Sequence, residues 1–268
     1  MIGVTTHHCH RGDAVHIHWC DTSSNLAHMN NQTQPTIDLI IPAYNEEENI
    51  PDLLEALNSL PLRHVIVTDN GSTDRTAELA AAGGALVVTE PRRGYGAACL
   101  AGLSWIDNHP PLPDMVGFLD ADLADDPVNL PQLWQPIAAN QADLAIACRC
   151  PAQAGALTLT QRFGNRLACT LIRLLTGKSY RDLGPMRVIR YTSVRQLNMA
   201  DLTWGWTVEM QFKAARRNLR TLEINLPYHR RRAGASKISG TIVGSARAGY
   251  KIIATILALW LGDPKRPE

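Results

Sequence analysis

The chain has 268 residues, of which 45% are hydrophobic and 19% charged, and its formal net charge is +1. This composition excludes a disordered or fibrous chain, and the length is enough to bury the core of one α/β domain. A near-neutral total leaves no footprint for nucleic acid, so no nucleic-acid partner is expected.

Residues 1–35 carry His7, His8, His10, His16, His18 and His28 with Cys9 and Cys20, and show no hydrophobic period. Their spacing matches no standard zinc module, and the segment reads as a disordered His-rich extension, with Met29 as an alternative start. From residue 36 to 262 the pattern is that of a single domain, followed by a tail at 263–268. Residues 37–41 form a buried strand, and Ile50, Leu53, Leu54 and Leu57 share one helical face after it. A second strand at 64–68, a helix at 74–82, a third strand at 85–89 and a helix at about 95–106 follow. Residues 115–119 are a fourth strand, a helix begins after Pro127, and 144–147 are a fifth strand.

Such alternation predicts a mostly parallel, Rossmann-like sheet flanked by helices, with ligands at the carboxyl ends of its strands. That rule makes neighbours of 42–46, 69–74 and 120–126. Past Pro151 the pattern loosens into a second, more helical half, 151–262. Phe163, Leu167, Leu171 and Leu174 make one helical face ended by Gly177; 210–217 is helical, 222–226 a strand and 241–261 a long helix.

The six cysteines form no CxxC pair or disulfide framework, and Cys99 and Cys169 read as small buried hydrophobes. A reducing, cytosolic setting is expected. No signal peptide is visible, and the longest apolar run, 252–261, is too short to span a bilayer. Arg247 and Lys251 lie just ahead of that run, so the last helix fits peripheral membrane contact, burial against the domain or a homodimer interface.

Asp120-Ala121-Asp122 follows an apolar strand and precedes a loop. Two carboxylates at i and i+2 converge on one ion where a chain leaves a sheet, and hard oxygen ligands suit Mg²⁺ or Mn²⁺. Such an ion neutralises a diphosphate leaving group. The segment from Lys213 to Lys251 is rich in Lys and Arg with Glu223 as its one acid, which suits anionic substrates. Gly94-Tyr95-Gly96 at a helix start carries Cys99 at the third glycine position, and reads as a close backbone approach rather than a dinucleotide site.

These residues fall into an ordered set. Ile41-Pro42-Ala43-Tyr44-Asn45-Glu46-Glu47, Asp69-Asn70-Gly71-Ser72-Thr73-Asp74 and Asp120-Ala121-Asp122 resemble the first-strand, second-strand and metal motifs of family 2 glycosyltransferases, which have the GT-A fold. Asp182-Leu183-Gly184-Pro185-Met186-Arg187 and Trp204-Gly205-Trp206-Thr207-Val208-Glu209-Met210 are similar to acceptor-side segments of that family. Arg232-Ala233-Gly234-Ala235-Ser236-Lys237 resembles the RxGxSK segment of its dolichol-phosphate mannose synthase and polyprenyl-phosphate branch.

The resemblance implies a hexosyltransferase that inverts the anomeric carbon and takes a UDP- or GDP-sugar. Pro42, Tyr44, Glu46, Asp69, Asp120 and Arg149 would bind the nucleotide-sugar, and Asp120 and Asp122 the metal. Arg187, Arg232, Ser236 and Lys237 would meet diphosphate or acceptor. Asp122, Glu209 and Arg232 are the catalytic candidates. Asn70 departs from the family's usual aspartate, and Ala124 stands where the mannose branch usually has glutamine.

Two acceptors stay open. A polyprenyl phosphate is anionic already and needs only positioning by Arg and Lys, whereas a hydroxyl needs a general base, for which Glu209 is the candidate. Equally, Glu209 reads as a structural carboxylate paired with a basic neighbour. A sugar nucleotidyltransferase is the alternative of a different class.

Overall fold

The computed structural model describes residues 35–232 and 242–262. The His-rich extension, the 263–268 tail, and the predicted Ser236 and Lys237 lie outside the described residues.

Strands β1 (Ile37–Ala43), β2 (His64–Asp69), β3 (Leu86–Thr89) and β4 (Met115–Phe118) lie at or within a residue or two of their predicted places, with α1 (Ile50–Leu57), α2 (Thr76–Ala82) and α3 (Tyr95–Asp107) between them. After β4 come α4 (Leu130–Ala138), β5 (Leu144–Pro151), α5 (Leu159–Thr176), β6 (Arg187–Arg190), α6 (Tyr191–Leu197), α7 (Trp206–Arg216), β7 (Thr221–Tyr228) and α8 (Ile242–Gly262). The seven strands form one sheet in the order β3-β2-β1-β4-β6-β5-β7. All pairings are parallel except those of β6, which runs antiparallel between β4 and β5.

Alternation along the strands builds two cores. Leu39 and Ile41 of β1 pack with Leu53 and Leu57 of α1 and Leu133 of α4 on one face. Ile40, Val116 and Phe118 pack with Leu103 of α3 and with Trp206 and Phe212 of α7 on the other. The α1 face is buried as the period predicts, and Cys99 and Cys169 are buried on α3 and α5.

The structure adds one strand and corrects one expectation. Residues 187–190 are a central strand, β6, for which the loosened pattern past Pro151 gave no signal. On α5, Gly177 ends the helix in the left-handed conformation as expected, but the predicted apolar face is only partly covered, with Leu167 and Leu171 half-buried and Leu171 packed on the core. The helix packs through Ala168, Cys169 and Ile172, while Phe163 and Leu174 face solvent. The buried line is centred on Ala168, Cys169 and Ile172, with Leu171 and Leu175 packed at its edge, where α5 meets α7 and α8.

Candidate active site

The carboxyl ends of β1, β2 and β4 open into a cavity of about 710 Å³. Its wall holds Pro42, Tyr44 and Glu46 from the β1 loop and Asp120 and Asp122 from the β4 loop, all expected there from the sequence. It also holds Asn70, Arg93, Tyr95, Thr203, Trp204, Arg231 and Lys251.

The β1 and β2 loops are laced together by side-chain-to-backbone bonds. The Ser72 hydroxyl accepts from the Asn45 amide at 3.0 Å, the Asn45 side-chain oxygen from Thr73 N at 2.8 Å, and Thr76 Oγ1 from Glu46 N at 2.8 Å. Asn45 takes a positive φ of 52°, which asparagine tolerates better than most residues. Asp69 is buried at the end of β2 and accepts from Ser72 N at 3.2 Å, so it shapes the loop from behind the cavity wall.

Asn70 explains its own departure from aspartate. Its amide nitrogen donates to the carbonyls of Glu90 (3.0 Å) and Arg92 (2.7 Å), while its oxygen accepts from Gly94 N (2.7 Å). An aspartate would set a carboxylate against those two carbonyls. Asn70 thereby fixes the loop before α3, whose Arg93 guanidinium lies 3.8 Å from the centre of the Tyr44 ring.

The glycines of Gly94-Tyr95-Gly96 do serve a close approach. A Cβ on Gly94 would stand 2.0 Å from the Leu202 carbonyl oxygen, and one on Gly96 1.9 Å from that of Asp201. Through this gap Ala97 N donates to Leu202 O at 2.9 Å, which brings Thr203 and Trp204 to the cavity wall.

Asp120 and Asp122 share one patch of buried negative charge. Asp120 keeps part of its surface on the cavity, but its Oδ1 is sealed from solvent and has no hydrogen-bond partner. Burial, and then repulsion from Asp122, push the Asp120 carboxyl up to about 7. Asp125 behind them is buried with both oxygens unpartnered, and burial first and Asp120 second hold it well above the carboxylate range. An orphaned hard acceptor beside a second carboxylate fits a divalent cation, and Asp120 and Asp122 are the residues that would hold it. Among the described residues no third carboxylate, His or Cys completes a closed cage with them. Two carboxylates alone leave coordination positions for phosphate oxygens.

Arg231, which lies one residue ahead of the Arg232–Lys237 motif and outside it, is a cation that the structure sets at this patch. Its Nη1 lies 2.8 Å from Glu46 Oε1 and its Nη2 3.1 Å from Asp122 Oδ2. Burial opposes its charge, but Asp122 and Glu46 outweigh that and raise its pKa. The chain leaving β7 is stitched to the β4 loop, His229 N donating to Ala124 O (2.8 Å) and Arg232 N to Asp122 O (3.2 Å). In that register Arg231 points inward, while Arg232 turns away to pair with the exposed Asp52 at 2.8 Å.

Three further predicted residues lie off the cavity wall. Arg149 forks onto Asp182 at 2.8 and 2.7 Å. Arg187, wholly buried on β6, donates to the carbonyls of Leu183, Gly184, Pro185 and Thr207, and burial pulls its pKa down. It ties the loop before β6 to α7 and presents nothing to an acceptor. Glu209 accepts from the amides of Ala200 (2.9 Å) and Asp201 (2.8 Å) and pairs with Lys213 at 2.6 Å. This is the structural-carboxylate reading, with Lys213 as the basic neighbour. Glu209 clamps the loop that continues into Thr203 and Trp204.

Comparison with known proteins agrees with this architecture. Residues 38–197 match the family model described as Glycosyl transferase family 2. An uncharacterised glycosyltransferase of Mycobacterium tuberculosis is 33% identical over 225 residues, covering 84% of this chain and 96% of that protein. The undecaprenyl-phosphate mannosyltransferase of Micrococcus luteus is 31% identical over 77% of this chain and 89% of its own length. Among solved structures, glucosyl-3-phosphoglycerate synthase from M. tuberculosis, crystallised with Mn²⁺, UDP and glucosyl-3-phosphoglycerate, superposes with a TM-score of 0.68. It is 22% identical and covers 86% of this chain and 81% of that one, a likeness of fold. The sheet, the carboxylate pair at the end of β4 and these relatives agree that the chain is a glycosyltransferase of family 2, with the GT-A fold.

Proposed function

We propose that the cavity binds a UDP- or GDP-sugar with Mg²⁺ or Mn²⁺ and that the enzyme transfers the hexose, with inversion, to a polyprenyl phosphate at the cytosolic face of a membrane. The observation that carries this reading is the mixed charge of the cavity wall, where Arg93, Arg231 and Lys251 line the same cavity as Asp120 and Asp122 and Arg231 pairs with Asp122 at 3.1 Å. Pro42 and Tyr44 supply apolar and aromatic surface for a nucleoside, with Arg93 closing over the Tyr44 ring. A divalent ion held by the two aspartates would supply charge neutralisation to the departing diphosphate.

A phosphate oxygen of the acceptor attacks the anomeric carbon, the bond from that carbon to the diphosphate oxygen breaks, and the nucleoside diphosphate leaves. The acceptor needs no proton removed, and the wall is committed accordingly. Glu46 is bound to Arg231 and Asn49, and Asp120 and Asp122 form the metal pair. Transfer to a hydroxyl would need a base, and Glu209 is engaged with Lys213 and two backbone amides. The lipid-phosphate reading draws support from the Micrococcus relative and from the undecaprenyl-phosphate 4-deoxy-4-formamido-L-arabinose transferase of Pseudomonas aeruginosa, 30% identical over 76% of this chain. The UDP and Mn²⁺ carried by the structural neighbour support the donor and metal. Family membership sets aside the nucleotidyltransferase alternative.

The test is a panel of UDP- and GDP-sugars with Mn²⁺ or Mg²⁺, with and without a short-chain polyprenyl phosphate. Transfer stimulated by the lipid phosphate and abolished by Asp122→Asn is the expected result. Turnover indifferent to lipid phosphate but stimulated by a soluble hydroxyl acceptor would sink the acceptor assignment.

A further inference from the structure

The cations on the cavity wall come from different elements and have different neighbours. Arg93, from the loop before α3, lies over the Tyr44 ring, and Arg231, from the chain after β7, is held by Glu46 and Asp122. Lys251 is delivered by α8 and lines the cavity together with Thr203 and Trp204 from the loop before α7. Its ammonium lies 3.1 Å from Asp201 Oδ2, and its side chain is 42% exposed against 8% for that of Asp201. Neither the nucleoside surface nor the carboxylate pair accounts for it.

Asp201 is a fixed platform. Its amide donates to Glu209 Oε2 at 2.8 Å, and its carbonyl oxygen packs against Gly96, where a Cβ would stand 1.9 Å away. Its Oδ1 accepts from Thr203 N at 2.7 Å and from Thr203 Oγ1 at 2.9 Å, while Thr255 Oγ1 of α8 reaches Oδ2 at 3.3 Å. A Cβ on Gly205 would stand 2.3 Å from Asp201 Oδ2 and 2.7 Å from Thr255 Oγ1, so α8 seats directly on this carboxylate. Asp201 therefore has hydrogen-bond donors without Lys251. An ammonium carries three N–H donors; one meets Asp201, and two remain for a group in the cavity.

We propose that Lys251 is the contact for the phosphate of the acceptor and that Asp201 is its positioning residue. A phosphate monoester is the anion that rewards a compact cation with donors to spare. Displacement with inversion puts the acceptor oxygen on the side of the anomeric carbon opposite the departing diphosphate, so the acceptor phosphate needs a cation other than the Arg231 held at Asp122. An element that carries neither the metal pair nor Arg231 supplies it. Asp201 also restrains the four-carbon stem of Lys251, which lowers the entropy lost when the phosphate arrives. Lys251 in this role presupposes the lipid-phosphate acceptor proposed above and names the residue that receives it.

Wild type, Lys251→Gln, Lys251→Arg and Asp201→Asn are compared in transfer to a short-chain polyprenyl phosphate, with affinity for the donor's nucleoside diphosphate in Mn²⁺ measured by calorimetry. Lys251→Gln is expected to raise the acceptor KM roughly 10- to 30-fold, the low end for a hydrogen bond to a charged group because the side chain is half-exposed, with nucleoside-diphosphate affinity kept within about twofold. Lys251→Arg should recover most of that loss. Asp201→Asn should raise the acceptor KM as well although Lys251 is still present, leaving nucleoside-diphosphate affinity in place, a split that a merely structural role would not produce. An unchanged acceptor KM in Lys251→Gln, while lipid phosphate stimulates transfer, overturns the role of Lys251 and leaves the lipid-phosphate acceptor standing. A matching fall in nucleoside-diphosphate affinity overturns it too, by moving Lys251 to the donor. Wild type that neither binds the lipid phosphate nor is stimulated by it removes acceptor and role together.

Discussion

Replacing Arg231 by Gln tests whether its guanidinium and a divalent ion serve the same carboxylates. The side chain makes two charge-assisted contacts, to Glu46 at 2.8 Å and Asp122 at 3.1 Å, and is 24% exposed. Losing both would cost 3–5 kcal/mol if the site were fully desolvated; partial exposure screens this, and about 2 kcal/mol is the reasoned loss. For a domain of this size, roughly 2–4 °C of melting temperature per kcal/mol gives a drop of about 4–8 °C in EDTA. Saturating Mn²⁺ should recover most of that drop, because an ion at Asp120 and Asp122 offsets the charge that Arg231 left exposed. The assay is thermal unfolding of wild type and variant in EDTA and across an Mn²⁺ titration, read alongside direct Mn²⁺ affinity by calorimetry. An equal drop in EDTA and in Mn²⁺, with unchanged Mn²⁺ affinity, would refute the shared-carboxylate reasoning and leave Arg231 a purely structural contact.

Asn70→Asp sets a carboxylate against the carbonyls of Glu90 and Arg92; at about 1–3 kcal/mol for mispaired buried polar groups, donor affinity should fall roughly 5- to 150-fold by calorimetry. Wild-type affinity would show that the loop carrying Arg93 does not need the amide. Glu209→Gln leaves the buried Lys213 ammonium without its counter-charge, so it should lower the melting temperature while keeping turnover within about tenfold at low temperature. A loss of roughly 10²–10⁴ in turnover with stability intact would instead mark Glu209 as a general base. Asp143 is held at about 2, chiefly by the Arg220 guanidinium and against partial burial. Its folded pKa lies below the unfolded value, so its stabilisation is fully present above the ordinary carboxylate range and lost as pH falls through about 2. Discounted for exposure it is worth on the order of 1 kcal/mol, and the melting-temperature gap between wild type and Asp143→Asn should close between about pH 4 and pH 2. A gap that persists at pH 2 would assign the effect to packing.

What the sequence determined by itself was whatever a short window of chain dictates. The period of α1, the apolar runs of β1, β2 and β4 and the left-handed Gly177 are settled by neighbours a few residues away. The rule that ligands sit at the carboxyl ends of parallel strands then placed Pro42, Tyr44, Glu46, Asp120 and Asp122 on one wall. What only the tertiary structure decided depends on partners far along the chain. Arg187 looks like a substrate-facing arginine until β6 is inserted between β4 and β5, where both faces of the sheet are covered and its guanidinium has only carbonyls to meet. The predicted α5 face is centred to one side of the buried line: packing against α7 and α8 covers Ala168, Cys169 and Ile172 and leaves Phe163 and Leu174 exposed. Arg231 and Arg232 are adjacent and chemically identical. Which of them reaches Asp122 is fixed by the hydrogen bonds that lock the chain after β7 onto the β4 loop, a register written roughly a hundred residues apart in the sequence and met only in the fold.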